Sequence, residues 1–498
     1  MSAEQLLVNF NYDQFLWKEC SDGLFDKGGQ TIFLAVHLRL AVTKSEEAVR
    51  EAASHVWIAL RHQIPVIAAS LELDGSDTPL LTYRVLEEQQ VSEWAARTLV
   101  VHTQPSLDLN ALREELGAQK VPSPSGDYTH MHVVLPSSSG AIDQLGFLLH
   151  VHHSLLDGNG AKASMHAFLT QFAKQIDSSG AGDVQFRWGE EAERLTPALW
   201  SVLHPSEPLL IKPDSSEEPS FSHAMYAALG EEMQRAGRFT QNAYGFRPRE
   251  GDKSPWPAYR HTDLVFSEEE SEKLLRSMKS QPYTMTVLAH AALVMVTMFF
   301  NPASSQFAEH TLNNWTIIDV RHRLAEPFCS RHGFAGYAIS PASLFLPVSL
   351  FLASDGTLLP LDRETLFKAV EDLGERYRSQ KAVHPGYMPL AADLFSRGLK
   401  QGYAAGLVPP NQCYSWVSDG KGEDRFDSTY NDEKGSPAFD LTRFFTSINQ
   451  PDPAPSFRLS SWRGVFEISA DFNENVISRE EVKEYLVKWK EFMVLVMQ

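Results

Sequence analysis

The sequence predicts an α+β protein built of two sandwich domains. Three observations carry this. Helix-period and strand-period segments are mixed in both halves of the chain, without the regular βαβ alternation of a doubly wound sheet. The chain has 498 residues, 43% of them hydrophobic, enough for more than one large core. A stretch rich in Pro, Ser and Glu, Pro205 to Ser222, separates the halves. The expected division is an N-terminal domain over 1–204, a crossover over 205–225 and a C-terminal domain over 226–498.

Ser45 to His62 reads as the first helix. Thr43 and Glu46 have capping-box spacing, and Val49, Ala53, Val56, Trp57 and Leu60 form an apolar stripe. Pro65 ends it, and Val66 to Ala69 reads as a strand. Leu99–His102 and Tyr128–Leu135 are further strands. Leu145 to His153 is the most informative strand. Leu145, Phe147, Leu149 and Val151 alternate along it, which places His153 in line with an apolar face at its end. The run Pro136-Ser-Ser-Ser-Gly140 predicts a hairpin between these last two strands. A helix follows, with Ala161, Met165, Phe168, Leu169, Phe172 and Ile176 on one side, and Ser178 to Asp183 is a loop.

In the second half, helices are expected over Ser267–Lys279 and Thr284–Phe300. Strands are expected over Asn314–Val320 and Ala335–Leu346. Trp462, Gly464, Phe466, Ile468, Ala470 and Phe472 alternate across one more strand. Ser478, with Glu481 three residues on, caps a last helix whose apolar side is Val482, Tyr485, Leu486, Trp489 and Met493. Tyr283 to Phe300 is largely apolar, but it is short for a membrane span and carries His290, so it reads as a buried helix.

Composition narrows the function. The net charge of −19 repels nucleic-acid phosphates and anionic lipid, which points to small molecules or a neutral protein partner. Cys20, Cys329 and Cys413 are widely spaced, so a thiolate zinc site or disulfide framework is not expected. No secretory signal is read at Met1–Phe15. The expected protein is cytoplasmic and monomeric, with no nucleic-acid partner and no membrane span.

The chemistry concentrates in His152-His153-Ser154-Leu155-Leu156-Asp157-Gly158. A histidine at the end of a rigid strand suits general-base work, because imidazole titrates near neutrality and can take and return a proton in one cycle. An acceptor hydroxyl or amine attacking a thioester must lose a proton, and the resulting oxyanion needs donors. Asp157, four residues on, can turn inward to pin the loop that carries the base. His152 falls on the other strand face, in a structural role, and Gly158 is expected to serve backbone shape.

This run resembles the HHxxxDG motif of the CoA-dependent acyltransferase superfamily, which includes chloramphenicol acetyltransferase, plant acyltransferases and peptide-synthetase condensation domains. Other segments are similar to the family in the same order. Trp57-Ile-Ala-Leu-Arg61-His62-Gln-Ile-Pro65 resembles its early LRxxHP helix end. Asp319-Val-Arg321-His-Arg323-Leu324, followed by Gly336-Tyr-Ala, resembles its DxRxRL…G stretch. Trp188-Gly189-Glu190-Glu191, Arg194-Leu195-Thr196-Pro197 and Ser418-Asp419-Gly420 resemble the fungal trichothecene O-acetyltransferase branch. The resemblance spans roughly residues 15–490, and its His motif is the specific part.

The resemblance implies two chloramphenicol-acetyltransferase-like domains with a tunnel at their interface. It implies acyl transfer from a thioester to a hydroxyl of a small secondary metabolite. His153 is then the base, and Asp157 is grouped with it in the catalytic motif as an anchor pairing with an arginine, for which Arg61 is the candidate. Ser418, Asp440 and Arg321 are candidate substrate contacts, although for Arg321 and Arg323 the favoured reading is structural. No bound cofactor or metal is implied, and acyl-CoA or an acyl-carrier thioester is the co-substrate. The plant DFGWG motif is absent, with Phe439-Asp440-Leu-Thr-Arg443 in its place, which leaves CoA and carrier-protein donors both open.

Other readings compete. A condensation-type enzyme would take a carrier-bound donor in trans, a binding protein would carry the motif as a relic, and a cyclase would release no thiol. Gly158-Asn-Gly160-Ala-Lys-Ala163 has GxGxxA spacing, but Ser154–Asp157 intervene between strand and glycine. His130-x-His132 and His150-x-His152, paired in a hairpin, form a possible zinc set. Ser154 as nucleophile lacks a GxSxG elbow.

Overall fold

The computed structural model describes residues 5–7, 31–73, 79–137, 141–176, 186–197, 202, 242–247, 249–250, 254, 257–381 and 413–498. The crossover expected at 205–225 and the loop expected at Ser178–Asp183 lie outside these residues. The chain forms two compact units. One takes residues 1–204, 319–339 and 422–449, the other 205–318, 340–421 and 450–498. The contiguous 226–498 domain expected from sequence is corrected by this grouping. Segments 319–339 and 422–449 pack with the first unit, because their pairing partners are there.

The first unit contains β1 (Thr31–Lys44), α1 (Glu46–Gln63), α2 (Glu88–Thr98), β2 (Leu99–Gln104), α3 (Leu109–Gly117), β3 (Thr129–Pro136), β4 (Ile142–His152), α4 (Gly158–Ile176), β5 (Thr429–Asn431) and β6 (Pro437–Ile448). Six of its strands form one sheet in the order β5-β6-β1-β4-β3-β2. The expected hairpin is present, with β3 and β4 antiparallel and His130 opposite His150. β6 lies antiparallel to β1, with Ile448 opposite Ile32. This long pairing draws the late segment into the first unit.

β4 is central and buried on both faces. Phe147 packs against Phe168 and Phe172 of α4, with ring centroids 4.9 and 5.0 Å apart. Leu148, on the other face, packs with Leu109, Leu112 and Leu116 of α3. A strand covered on both sides reads as a near-continuous apolar run, so alternation alone understates its burial.

Three local expectations change. Ser45, not Thr43, caps α1 by accepting from the Ala48 N–H. Pro65–Ala68 is a 3₁₀ turn, not a strand, with the proline at its first position, where its fixed φ and missing N–H suit a helical start. The expected strand through Trp462–Phe472 is a hairpin of Ser456–Trp462 and Val465–Asn473. Arg463 and Gly464 have φ of 51° and 77°, the left-handed pair a tight two-residue turn needs.

The second unit centres on a four-stranded sheet in the order Ser415–Lys421, Ser456–Trp462, Val465–Asn473, Tyr259–Val265. Helices Met285–Phe300 and Arg479–Met493 contribute to its core. Trp489 packs at 5.6 Å from Trp416 and donates to the Ala289 carbonyl at 2.8 Å. Helix Met285–Phe300 is buried on nearly every side, which explains its uniform apolarity. Among the described residues no helix is long and apolar enough to cross a membrane.

Candidate active site

β4 stops at His152 and the chain turns at once through His153, Ser154 and Leu155. Of residues 151–157, His153 alone is not buried. The strand therefore delivers one imidazole to a partly exposed position while residues 151–152 and 154–157 are packed. The His153 ring lies 5.7 Å from the ring of Tyr337, tilted by 48°.

His152 is a different histidine. It is wholly buried and packs edge-on against Tyr128 at 5.4 Å. Its Nδ1 accepts from the Ser154 backbone N–H at 3.2 Å and lies 2.5 Å from Ser154 Oγ. An N–H can only donate, so Nδ1 is the acceptor and the proton of the neutral ring sits on Nε2. Burial first, and the neighbouring His153 second, push its pKa down to about 3. That makes it a structural residue and a poor proton acceptor. Ser154 is equally buried, so its contact with His152 is a local brace out of reach of any substrate, and the nucleophile reading fails.

Asp157 is the cap of α4, its carboxylate accepting from the Gly160 N–H at 2.6 Å. It also takes a forked pair from Arg321, at 3.0 and 2.7 Å, and the Ala338 N–H at 2.8 Å. With four donors on one buried carboxylate, Asp157 anchors the loop and is not a proton carrier. This corrects its grouping with His153 as a catalytic residue. Arg61 is not its partner, contrary to the sequence reading. That guanidinium donates to the Arg84 carbonyl at 3.0 Å and lies over the rings of Tyr83 and Trp94, at 5.1 and 4.8 Å.

Arg321, the structural or substrate-contact candidate of the sequence, is bonded as an anchor. Besides Asp157 it donates to Asp319 at 3.1 Å, to the Phe334 carbonyl at 3.0 Å and to the Gly336 carbonyl at 2.6 Å. These bonds occupy all of a guanidinium's five N–H donors. Burial opposes its charge, but Asp157 and Asp319 outweigh that and raise its pKa. Asp319 in turn accepts from Asn159 at 2.9 Å and Arg425 at 2.7 Å. Burial works to raise the Asp319 carboxyl, yet Arg321 and Arg425 hold it below the usual carboxylate range.

Asn159, Asp319, Arg425 and Tyr337 were not singled out as site residues from the sequence. Asp319 and Tyr337 stood inside the quoted DxRxRL…G stretch, which was the available signal. Nor does Gly158 serve backbone shape. Its φ is not left-handed, and a Cβ there would meet nothing within 4 Å. Gly160 is the constrained glycine, since a Cβ would fall 2.2 Å from the Ala335 carbonyl oxygen. That packing need also replaces the dinucleotide reading of the two glycines.

Ser418 and Asp440 belong to different units. Ser418 Oγ lies 2.9 Å from Thr286 Oγ1 in the second unit. Asp440 accepts from Thr429 at 2.6 Å on the edge of the first-unit sheet. The histidines of the rival zinc reading do share one face of the β3–β4 pair. There His132 Nδ1 bonds His102 Nε2 at 2.9 Å, and His132 stands 5.9 Å from His150 between centroids. Burial pushes both His132 and His150 well below the ordinary imidazole pKa, so both are neutral. Among the described residues no group of three or more His, Cys, Asp or Glu is placed to hold a metal ion.

No protein-family model matches the chain. A curated relative, trichothecene O-acetyltransferase TRI3 of Trichoderma arundinaceum, is 21% identical over 500 residues, covering 95% of this chain and 91% of the relative. The solved structure of TRI3 trichothecene 15-O-acetyltransferase from Fusarium sporotrichioides superposes with a TM-score of 0.81 at 18% identity, over 100% of this chain and 95% of that one. Over nearly its whole length the chain is similar in sequence to a trichothecene O-acetyltransferase, and it shares the TRI3 fold. That similarity supports an acyltransferase. A similar α+β fold recurs in the first condensation domain of the calcium-dependent antibiotic synthetase. That structure has a TM-score of 0.61 at 10% identity, over 100% of this chain and 98% of that one.

Proposed function

We propose that this acyltransferase moves an acyl group from acyl-CoA to a hydroxyl of a small secondary metabolite, with His153 as general base. The observation that carries the reading is the accessibility of His153 alone within the otherwise buried run 151–157. The acceptor oxygen attacks the thioester carbonyl as its proton passes to the imidazole. The tetrahedral intermediate then collapses, the C–S bond breaks, and the imidazolium returns the proton to the departing thiolate. His152 stays neutral throughout, and the Asp157–Arg321 pair holds the turn that presents the base.

The relatives' names make acetyl-CoA the first donor and hydroxylated trichothecenes the first acceptors to try. Thiol release, followed alongside acylated product, reads the reaction. His153→Ala is expected to lower kcat roughly 100- to 10,000-fold with the fold retained. Wild-type turnover in that variant would mean another group takes the proton. Ser418→Ala and Asp440→Ala test substrate contact through a rise in KM. A parallel assay with an acyl-loaded carrier protein separates the condensation-type alternative, and product without free thiol would point to cyclisation.

A further inference from the structure

Tyr337 is placed by the same buried ion pair that fixes the histidine turn. On one side of it, the Gly336 carbonyl accepts from Arg321 at 2.6 Å. On the other, the Ala338 N–H donates to Asp157 at 2.8 Å. Two residues earlier, the Ala335 carbonyl lies so close to α4 that only a glycine fits at 160. The backbone around Tyr337 is thus tied to the cap that ends the turn carrying His153. The two rings meet at 5.7 Å, and both residues are half-buried.

We propose that Tyr337 is a positioning residue for the base: its ring limits rotation of the His153 imidazole and stabilises the imidazolium formed when the acceptor proton is taken. The inference rests on the general-base reading above. An aromatic ring beside a nascent cation acts only once the charge has formed, so its benefit belongs to the transition state more than to substrate binding. The other titratable or charged groups of the motif's hydrogen-bond network are neutral His152 and the Asp157–Arg321–Asp319–Arg425 set, whose charges cancel. The tyrosine ring, 5.7 Å away, is a neighbour able to bias the imidazole.

The test is kcat and KM across pH for Tyr337→Leu and Tyr337→Phe in the full chain, with melting temperature recorded for each. Tyr337→Leu should lower kcat about 3- to 30-fold, leave KM for acetyl-CoA within about twofold, and move the acid limb of the rate profile to lower pH. Tyr337→Phe, which keeps the ring, should restore the wild-type profile. If Tyr337→Leu folds poorly, ring-fluorinated phenylalanine at 337 keeps the volume, weakens the ring's negative face and should reproduce the loss. Wild-type kcat and acid limb in the Leu or fluorinated variant would overturn the proposal, as would a Phe variant as impaired as Leu. An active His153→Ala variant would instead remove the general-base reading itself, so the two failures are told apart.

Discussion

Two glycines at the start of α4 answer to different constraints. A Cβ at Gly160 would sit 2.2 Å from a backbone oxygen, which cannot rotate away as a side chain can. A Cβ at Gly158 meets open space in a helical conformation that any residue adopts. Gly160→Ala should therefore cost about 1–3 kcal/mol through forced backbone movement. Gly158→Ala should be neutral or stabilise by up to about 1 kcal/mol, because alanine loses less backbone entropy in a helix. Chemical denaturation of the two variants checks the order, and a Gly158 variant less stable than the Gly160 variant would contradict it.

At the scale of elements, the Asp157–Arg321 pair fastens α4, the turn after β4 and segment 334–338 together. Both groups are buried, so removing Arg321 leaves Asp157 without its counter-ion, and removing Asp157 leaves Arg321 with Asp319 alone. Asp157→Ala and Arg321→Met should each destabilise by about 3–5 kcal/mol, and the double change should cost less than the sum. A melting temperature like wild type in the single variants would show that the pair does not fasten these elements. This clamp also marks the limit of what the sequence disclosed. The β4 strand, the helix after it and the place of His153 at the strand's end follow from short-range periodicity, whereas its partial exposure does not. The partner of Asp157 was not legible, because Arg61 and Arg321 are equally plausible by residue type and only the tertiary path decides between them. The turn at Arg463-Gly464 was missed for a related reason. Trp462 pairs with Val465, so the shared face passes from odd positions before the turn to even ones after it, and Trp462 and Gly464 match the even-numbered pattern without sharing the face of Phe466.

For the whole molecule, the buried histidines set how each unit responds to acid. In the first unit, burial, assisted by Arg443, takes His37 down to about 4, and burial with His153 takes His152 to about 3. His132 and His150 are also held well below their ordinary value, by burial first and then by neighbouring imidazoles. In the second unit burial takes His290 to about 3. The unfolded chain titrates these groups near 6.5, so below that pH it binds protons that the folded units refuse. Stability is complete above about pH 6.5 and is lost as pH falls toward the folded values. Each such histidine contributes a slope of about 1.4 kcal/mol per pH unit within that window. Among the described residues the first unit holds several of them and the second holds His290, so the first unit responds more steeply to acid. Hydrogen exchange read by mass spectrometry between pH 7 and pH 5 should show β3 and β4 losing protection before helix Met285–Phe300. Simultaneous loss in both units, or protection of β4 unchanged down to pH 5, would show that these imidazoles do not govern acid stability.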